Sequence, residues 1–137
     1  MIIFDVNFVG VIVAAVLAMA VGFVWYGPLF GKEWARLQGK DMEKMKKEAG
    51  NMGMMYGIAF VGALVSAYIF GVFINSLGAK TVLDGAMVGL WAWIGFILPV
   101  TGMNAMFMQS NKKLFYIDVF HHLAGFLVIG AVMGMLG

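Results

Sequence analysis

The sequence predicts an all-α fold, an integral membrane bundle of four transmembrane helices with one longer loop. One observation is composition: of 137 residues, 63% are hydrophobic and 12% are charged, whereas soluble domains carry about 25% charged residues. The other is that four stretches contain no Asp, Glu, Lys or Arg, namely residues 6–31, 49–79, 85–111 and 119–137. Crossing a hydrocarbon core takes about 20 apolar residues, so we expect each stretch to supply one span.

The four spans are expected to be helices, because each is far longer than a transmembrane strand of about 10 residues and none alternates polar with apolar residues. We therefore predict a single transmembrane domain over residues 1–137. The predicted spans are approximately 6–27, 52–77, 84–108 and 115–136, with a loop at approximately 28–51.

The basic residues predict the orientation of the bundle. Every Lys and Arg except Lys80 lies in the loop between the first two spans or in the short loop between the last two. Cytoplasmic loops are enriched in Lys and Arg. The positive charges therefore predict a multi-pass protein of the cell membrane, with both termini outside and the long loop in the cytoplasm, and they give no reason to expect nucleic-acid binding.

The first span is expected to be retained as an anchor. Ala18, Met19 and Ala20 imitate a signal-peptidase site. However, no basic segment precedes the apolar run, which continues past that site.

The loop over approximately 28–51 is either a surface helix or a solvated connector. Its apolar residues are spaced so that a helix would be loosely amphipathic; they are Trp34, Leu37, Met42, Met45 and Ala49. Acidic residues are mixed with its lysines, which argues against a site for anionic lipid alone.

Small residues recur at every fourth position in the first two spans. The residues are Gly10, Ala14, Ala18 and Gly22 in the first, and Ala59, Ala63, Ala67 and Gly71 in the second. Such stripes let helix backbones approach closely, which drives helix association in lipid. They predict tight packing either within one chain or between copies.

Polar residues within the predicted spans are candidates for a pocket open to the cytoplasm. They are Tyr56, Asn104, Asp118, His121 and His122. His121 and His122 follow Asp118 at i+3 and i+4, which stacks them on one side of a helix. This trio either handles protons or binds a metal, or else Asp118 complements the helix dipole while the histidines lie at the headgroup boundary.

The most specific local pattern is the string at the end of the first span. We interpret it as an aromatic anchor followed by a turn, and its key residues are Trp25, Tyr26, Gly27, Pro28 and Trp34. This W-Y-G-P-L-F-G-x-x-W string, together with the four-span layout, resembles a family of small bacterial membrane proteins of unknown function. The resemblance covers nearly the whole chain. It implies the fold and a bacterial origin, and no catalytic or binding residues.

Three functions remain open from the sequence. The first is a self-associating or accessory membrane subunit, with lipids and a second copy or a larger complex as partners. The second is an oligomeric small transporter or channel with a cytoplasm-facing polar pocket, and the third is an enzyme acting on lipids or quinones. The chain has no cysteine, which excludes disulfides and thiolate chemistry, and we predict no cofactor and no metal.

Overall fold

The structure is a computed structural model that describes the backbone of residues 1–137 and all side chains except those of Met42 and Ala49. Part of the predicted amphipathic pattern of the loop therefore lies outside the described residues. Most of the chain is helical, with no strand among the described residues. Four helices are long and apolar enough to cross a membrane: Phe8–Leu29, Met52–Leu77, Val82–Phe107 and Lys112–Leu136. These observations confirm the predicted all-α bundle of four apolar helices.

Seven α-helices and two π-helical segments build the four spans and the long loop. In chain order they are α1 (Phe8–Val24), a π segment (Trp25–Leu29), α2 (Gly31–Leu37), α3 (Met42–Ala49), α4 (Met52–Leu77), α5 (Val82–Ala92), a second π segment (Trp93–Ile97), α6 (Leu98–Phe107) and α7 (Lys112–Leu136). The first span ends at Leu29 and the last begins at Lys112, where the sequence predicted approximately 27 and 115. We call the end of the bundle that carries α2 and α3 the loop end.

Side-chain caps determine where most helices begin. A side-chain oxygen accepts a backbone N–H of the first turn, which satisfies a donor that has no partner inside the helix. The capping residues are Asn7 for α1, Asp41 for α3, Asn51 for α4, Thr81 for α5 and Asn111 for α7.

Each π-helical segment either contains a proline or is closely followed by one. Pro28 is inside the first segment, and Pro99 is at the start of α6 directly after the second. Proline has no N–H to donate to the preceding turn. A local change to the wider π-helical turn accommodates that loss, and such turns re-aim the side chains that they carry.

Helix α7 is the centre of the bundle, since it contacts α1, α4, α5 and α6. Its contact with α5 joins backbone to backbone: a Cβ at Gly85 would overlap the carbonyl of Gly130, and one at Gly134 would overlap the carbonyl of Thr81. Gly89 lies equally close to the carbonyl of Phe126. Glycine is therefore required along this seam, which is the close approach that small residues permit in membrane helices.

The predicted small-residue stripe of α1 packs largely within the chain. Ala14 is fully buried, a Cβ at Gly10 would lie 3.1 Å from Cβ of Leu136, and one at Gly22 would lie 3.5 Å from Nε2 of His121. Ala18 is partly buried and packs against the core.

The stripe of α4 divides into two parts. Ala67 and Gly71 are buried, Ala63 is partly buried and Ala59 is exposed. All buried residues of α4 lie from Ala67 onward. The half of α4 next to the loop end thus has no fully buried residue.

Hydrogen bonds to polar side chains of α4 hold the N-terminal segment at the end of the bundle that lies opposite the loop end. The Tyr68 hydroxyl donates to the carbonyl of Phe4, the Asn75 amide donates to the carbonyl of Asp5, and the backbone N–H of Ile3 donates to the hydroxyl of Ser76. These bonds hold residues that precede α1 against α4.

Candidate functional site

A cluster of polar and aromatic side chains lies where the two π-helical segments meet α7. It consists of Trp25, Tyr26, Trp93, Asp118 and His121, and we call it the polar cluster. Three separate spans contribute to it. Polar groups inside a membrane are costly and usually face the bundle interior or a cavity, so this convergence is the candidate functional site.

The centre of the polar cluster is a hydrogen bond between side chains of the first and last spans. The Tyr26 hydroxyl donates to Oδ1 of Asp118 at 2.6 Å. Both residues are partly buried. Hydrogen bonds to an ionised acceptor are stronger than neutral ones, so this contact fixes the carboxylate and ties the end of the first span to the start of α7.

Two tryptophans hold the backbone of α7 on either side of Asp118. Trp25 Nε1 donates to the carbonyl of Ile117 at 2.9 Å, and Trp93 Nε1 donates to the carbonyl of Val119 at 2.8 Å. A carbonyl oxygen has two lone pairs, so it can accept an indole N–H beside its bond within the helix. The indoles therefore fix the position of the turn that presents the Asp118 carboxylate.

His121 lies against the aromatic rings of the first span. Its ring centroid is 4.8 Å from that of Tyr26, 6.3 Å from that of Trp25 and 5.2 Å from that of His122. Among the described side chains, Nδ1 of His121 is the one buried nitrogen or oxygen atom without a hydrogen-bond partner. Buried polar atoms are nearly always paired, so the unpaired nitrogen distinguishes His121 from the other polar side chains of the cluster.

The π-helical segments explain why these side chains converge. Trp25 and Trp93 are each the first residue of a π-helical turn. The backbone N–H of Phe30 donates to the carbonyl of Trp25 at 2.9 Å, the i to i−5 bond of such a turn. The wider turn directs both tryptophans toward α7.

Three predicted pocket residues lie outside the polar cluster. Asn104, Tyr56 and His122 are exposed on the surface of the bundle, and none donates or accepts a side-chain hydrogen bond within the described part of the chain. Tyr56 instead packs edge-on against Phe23, with 5.2 Å between ring centroids. Of the five residues predicted to form the pocket, the structure therefore brings only Asp118 and His121 together.

The residues predicted to form an aromatic anchor and a turn do not all lie in the polar cluster. Trp25 and Tyr26 belong to the polar cluster, and Trp34 of α2 packs on Tyr26 with 4.9 Å between ring centroids. Pro28 is exposed inside the π-helical turn, and a Cβ at Gly27 would meet open space. The string therefore joins the first span, α2 and α7.

The arrangement holds a carboxylate and leaves one imidazole nitrogen open. Within the residues that the structure describes, no group of three or more His, Asp, Glu or Cys is placed to hold a metal ion. Chemistry at this site would use the lone pairs of Tyr26 Oη, whose O–H is already donated to Asp118, together with the ring nitrogens of His121 and the Asp118 carboxylate.

Trp93 was not among the candidate site residues predicted from the sequence. A signal was present: Trp25-Tyr26-Gly27 and Trp93-Ile94-Gly95 share the pattern W-x-G, and each precedes a proline. The same local pattern forms the same π-helical turn in two spans.

Comparisons with other proteins agree with the resemblance seen in the string. No curated protein and no solved structure matches the chain. A family model described as "Protein of unknown function (DUF1761)" matches residues 9–134, which include every residue of the polar cluster and all of the four spans except Phe8 and residues 135–136. The chain is therefore a member of the DUF1761 family.

Proposed function

We propose that the protein is a self-associating subunit of a bacterial inner membrane, and that copies pair through the half of α4 next to the loop end. The observation that carries the proposal is that a Cβ at Gly57 would meet no atom of the chain within 4 Å. In the proposed orientation both termini are outside and the long loop is cytoplasmic.

The use of glycine elsewhere in the bundle supports this proposal. Glycine inside a helix costs about 0.5–1 kcal/mol relative to alanine. Gly85, Gly89 and Gly130 offset that cost through backbone contact between α5 and α7. Gly57 has no such contact within the chain, so a helix of a second copy that packs against it would give it an equivalent role.

The surface beside Gly57 is apolar and concave. A groove of about 490 Å³ separates α1 from the same half of α4. Its lining is Val16, Met19, Ala20, Phe23, Tyr56, Gly57 and Phe60. Gly57 lines this groove, so α4 of a second copy that packs against Gly57 would place its side chains in the groove.

Native mass spectrometry in a mild detergent tests the proposal. We expect an oligomer from the natural protein and a monomer from Gly57→Leu, because a leucine side chain keeps the helices apart. Gly125→Leu is the matched control, since Gly125 of α7 also has open space at its Cβ position, and it should leave the oligomer intact.

A monomeric natural protein, in detergent and by single-molecule photobleaching in bilayers, would refute self-association. An oligomer that Gly57→Leu leaves unchanged would refute pairing through this half of α4. A different protein that co-purifies in fixed ratio and is lost in the Gly57→Leu variant would instead make the chain an accessory subunit of a larger complex.

A second candidate function is a small oligomeric transporter or channel that uses the polar cluster. The open Nδ1 of His121 beside the Tyr26 to Asp118 hydrogen bond favours it, because an unpaired buried nitrogen in a membrane helix marks a position for water or a permeating species.

The transport hypothesis is tested with proteoliposomes that enclose a pH-sensitive dye. If it holds, the natural protein dissipates an imposed pH gradient faster than empty vesicles, and Asp118→Asn does not. Asp84→Asn, which changes an exposed carboxylate in the first turn of α5, is the control. Equal rates for empty and protein-containing vesicles would exclude proton flux through this cluster.

A further inference from the structure

A cleft of about 720 Å³ lies between α2 and α3, outside the spans and apart from the polar cluster. Five charged residues and two small ones line it. They are Lys32, Arg36, Lys40, Asp41 and Glu43 with Ala35 and Gly39. Nothing in the proposed self-association involves these residues.

The position of α2 places this cleft beside the ends of two spans. α2 begins at Gly31, two residues after the first span ends at Leu29, and it contacts α7. Trp34 packs on Tyr26, and Ala35 is only 2% exposed. In a membrane, the cleft therefore lies at the depth of lipid headgroups, just beyond the hydrocarbon core.

The charges of the cleft are nearly balanced rather than uniformly basic. Arg36 already forms two hydrogen bonds with Glu33, and Lys40 pairs with Glu48. These contacts lower the pKa of both glutamates, so both stay ionised at neutral pH. Lys32 and Glu43 form no ion pair with any described side chain.

We propose that this cleft binds the headgroup of a zwitterionic phospholipid that carries a primary ammonium, the phosphoethanolamine class. Lys32 and the remaining N–H groups of Arg36 bind the phosphate, and the carboxylate of Glu43 accepts hydrogen bonds from the ammonium.

The balance of charge selects this class of lipid. A purely basic cleft would favour anionic lipids. Here the cations at Arg36 and Lys40 are already neutralised by their glutamate partners, and a further carboxylate at Glu43 repels a net negative headgroup. A zwitterionic headgroup can pair its phosphate with Lys32 and its ammonium with Glu43 at the same time. A quaternary ammonium would gain less, because it has no N–H to donate to a carboxylate.

The test is lipid titration of the purified full-length protein in mild detergent, read by native mass spectrometry. The probes are phosphatidylethanolamine, phosphatidylcholine and phosphatidylglycerol with identical acyl chains. A charge-assisted hydrogen bond is strong enough for about a tenfold preference. We therefore expect one phosphatidylethanolamine to bind about tenfold more tightly than either other lipid, and equal affinities would overturn the proposal.

Paired variants show whether that selectivity belongs to this cleft. Lys32→Gln and Glu43→Gln should each remove the preference. Lys46→Gln and Lys47→Gln are matched controls, because both lysines lie on α3 and neither lines the cleft. A preference that survives in both cleft variants, or that is lost equally in the controls, would place lipid binding elsewhere.

Two soluble probes distinguish a lipid from a free phosphate compound. Inorganic phosphate and phosphoethanolamine at about ten times the lipid concentration should fail to displace the lipid, because the acyl chains add apolar burial. Displacement by inorganic phosphate would overturn the assignment, since it would reveal a simple anion site.

Discussion

The Tyr26 hydroxyl donates a 2.6 Å hydrogen bond to the Asp118 carboxylate across a sequence separation of 92 residues. This bond joins the first and last spans, and its loss leaves a partly buried carboxylate without a donor.

Tyr26→Phe should therefore lower the free energy of unfolding by about 1.5–3 kcal/mol, the range for hydrogen bonds to charged groups. Reversible denaturation in detergent micelles measures the change. Tyr56→Phe is the control, since the Tyr56 hydroxyl is exposed and has no partner among the described groups. Equal effects of the two variants would show that the hydrogen bond contributes nothing.

The indole hydrogen bonds to α7 predict a ranking of tryptophan variants. Trp93→Phe removes a buried donor and leaves a void, so we expect a loss of about 2–4 kcal/mol. Trp25→Phe should cost about 1 kcal/mol, because its hydrogen bond is only partly buried. Trp91→Phe, at a side chain that is 63% exposed, should be nearly neutral. Thermal unfolding followed by near-UV circular dichroism measures all three, and a reversed order would contradict the assignment of Trp93 to the site.

The seam between α5 and α7 should not tolerate a single added methyl group. In Gly85→Ala the new Cβ would overlap the backbone of Gly130, so the helices must move apart and we expect most of the protein to aggregate. Size-exclusion chromatography after extraction measures the folded fraction. Gly125→Ala, with open space at the same atom, should fold normally and gain up to about 1 kcal/mol from helix propensity. A monodisperse Gly85→Ala protein of natural stability would refute the close contact.

The Glu33 and Arg36 pair predicts a pH dependence outside the spans. The hydrogen bonds from Arg36 lower the pKa of Glu33 below its ordinary value of 4.5. Because the folded-state pKa is lowered, the pair stabilises the fold above pH 4.5 and the contribution is lost as pH falls through the folded value.

Carbon-13 NMR titration of the Glu33 carboxyl should give a pKa below 4.5, and Arg36→Gln should return it toward 4.5. The Glu48 carboxyl is an internal control, because its pKa is lowered by Lys40 instead, and it should not change in that variant. An unchanged Glu33 titration in Arg36→Gln would show that the pair does not form in solution.

The proposed orientation is testable because the natural chain has no cysteine. Single cysteines at Lys46 and Lys112 should react with a membrane-impermeant maleimide only after the membrane is opened. A cysteine at Lys80 should react in intact cells. Labelling of all three in intact cells, or the reverse pattern, would contradict cytoplasmic loops.

The apolar runs alone were enough to predict the number of spans, because the length of a charge-free run reports directly on its ability to cross a membrane. The same runs kept the set of candidate site residues small, because few polar residues lie within them. The ends of the spans were not predictable from the apolar runs. The first span extends to Leu29 through a π-helical turn, and the hydrogen bonding of that turn depends on Pro28.

Which polar residues meet was not predictable from spacing. Asp118 and His121 share a side of α7, but Tyr26 and Trp93 reach them from other spans, and Asn104 at a similar sequence depth is exposed. Periodicity describes one helix at a time. The rotation of each helix relative to its neighbours is set by side-chain and backbone contacts between them.

The sequence by itself determined that this chain is a four-span helical protein with a W-Y-G-P string, since apolar length and local turn chemistry are properties of consecutive residues. Only the tertiary structure decided that Gly85 and Gly130 meet backbone to backbone while Gly57 and Gly62 remain open. It also decided that Tyr26 bonds to Asp118. The physical reason is that both outcomes depend on how the helices dock, and identical small-residue spacing is compatible with several dockings.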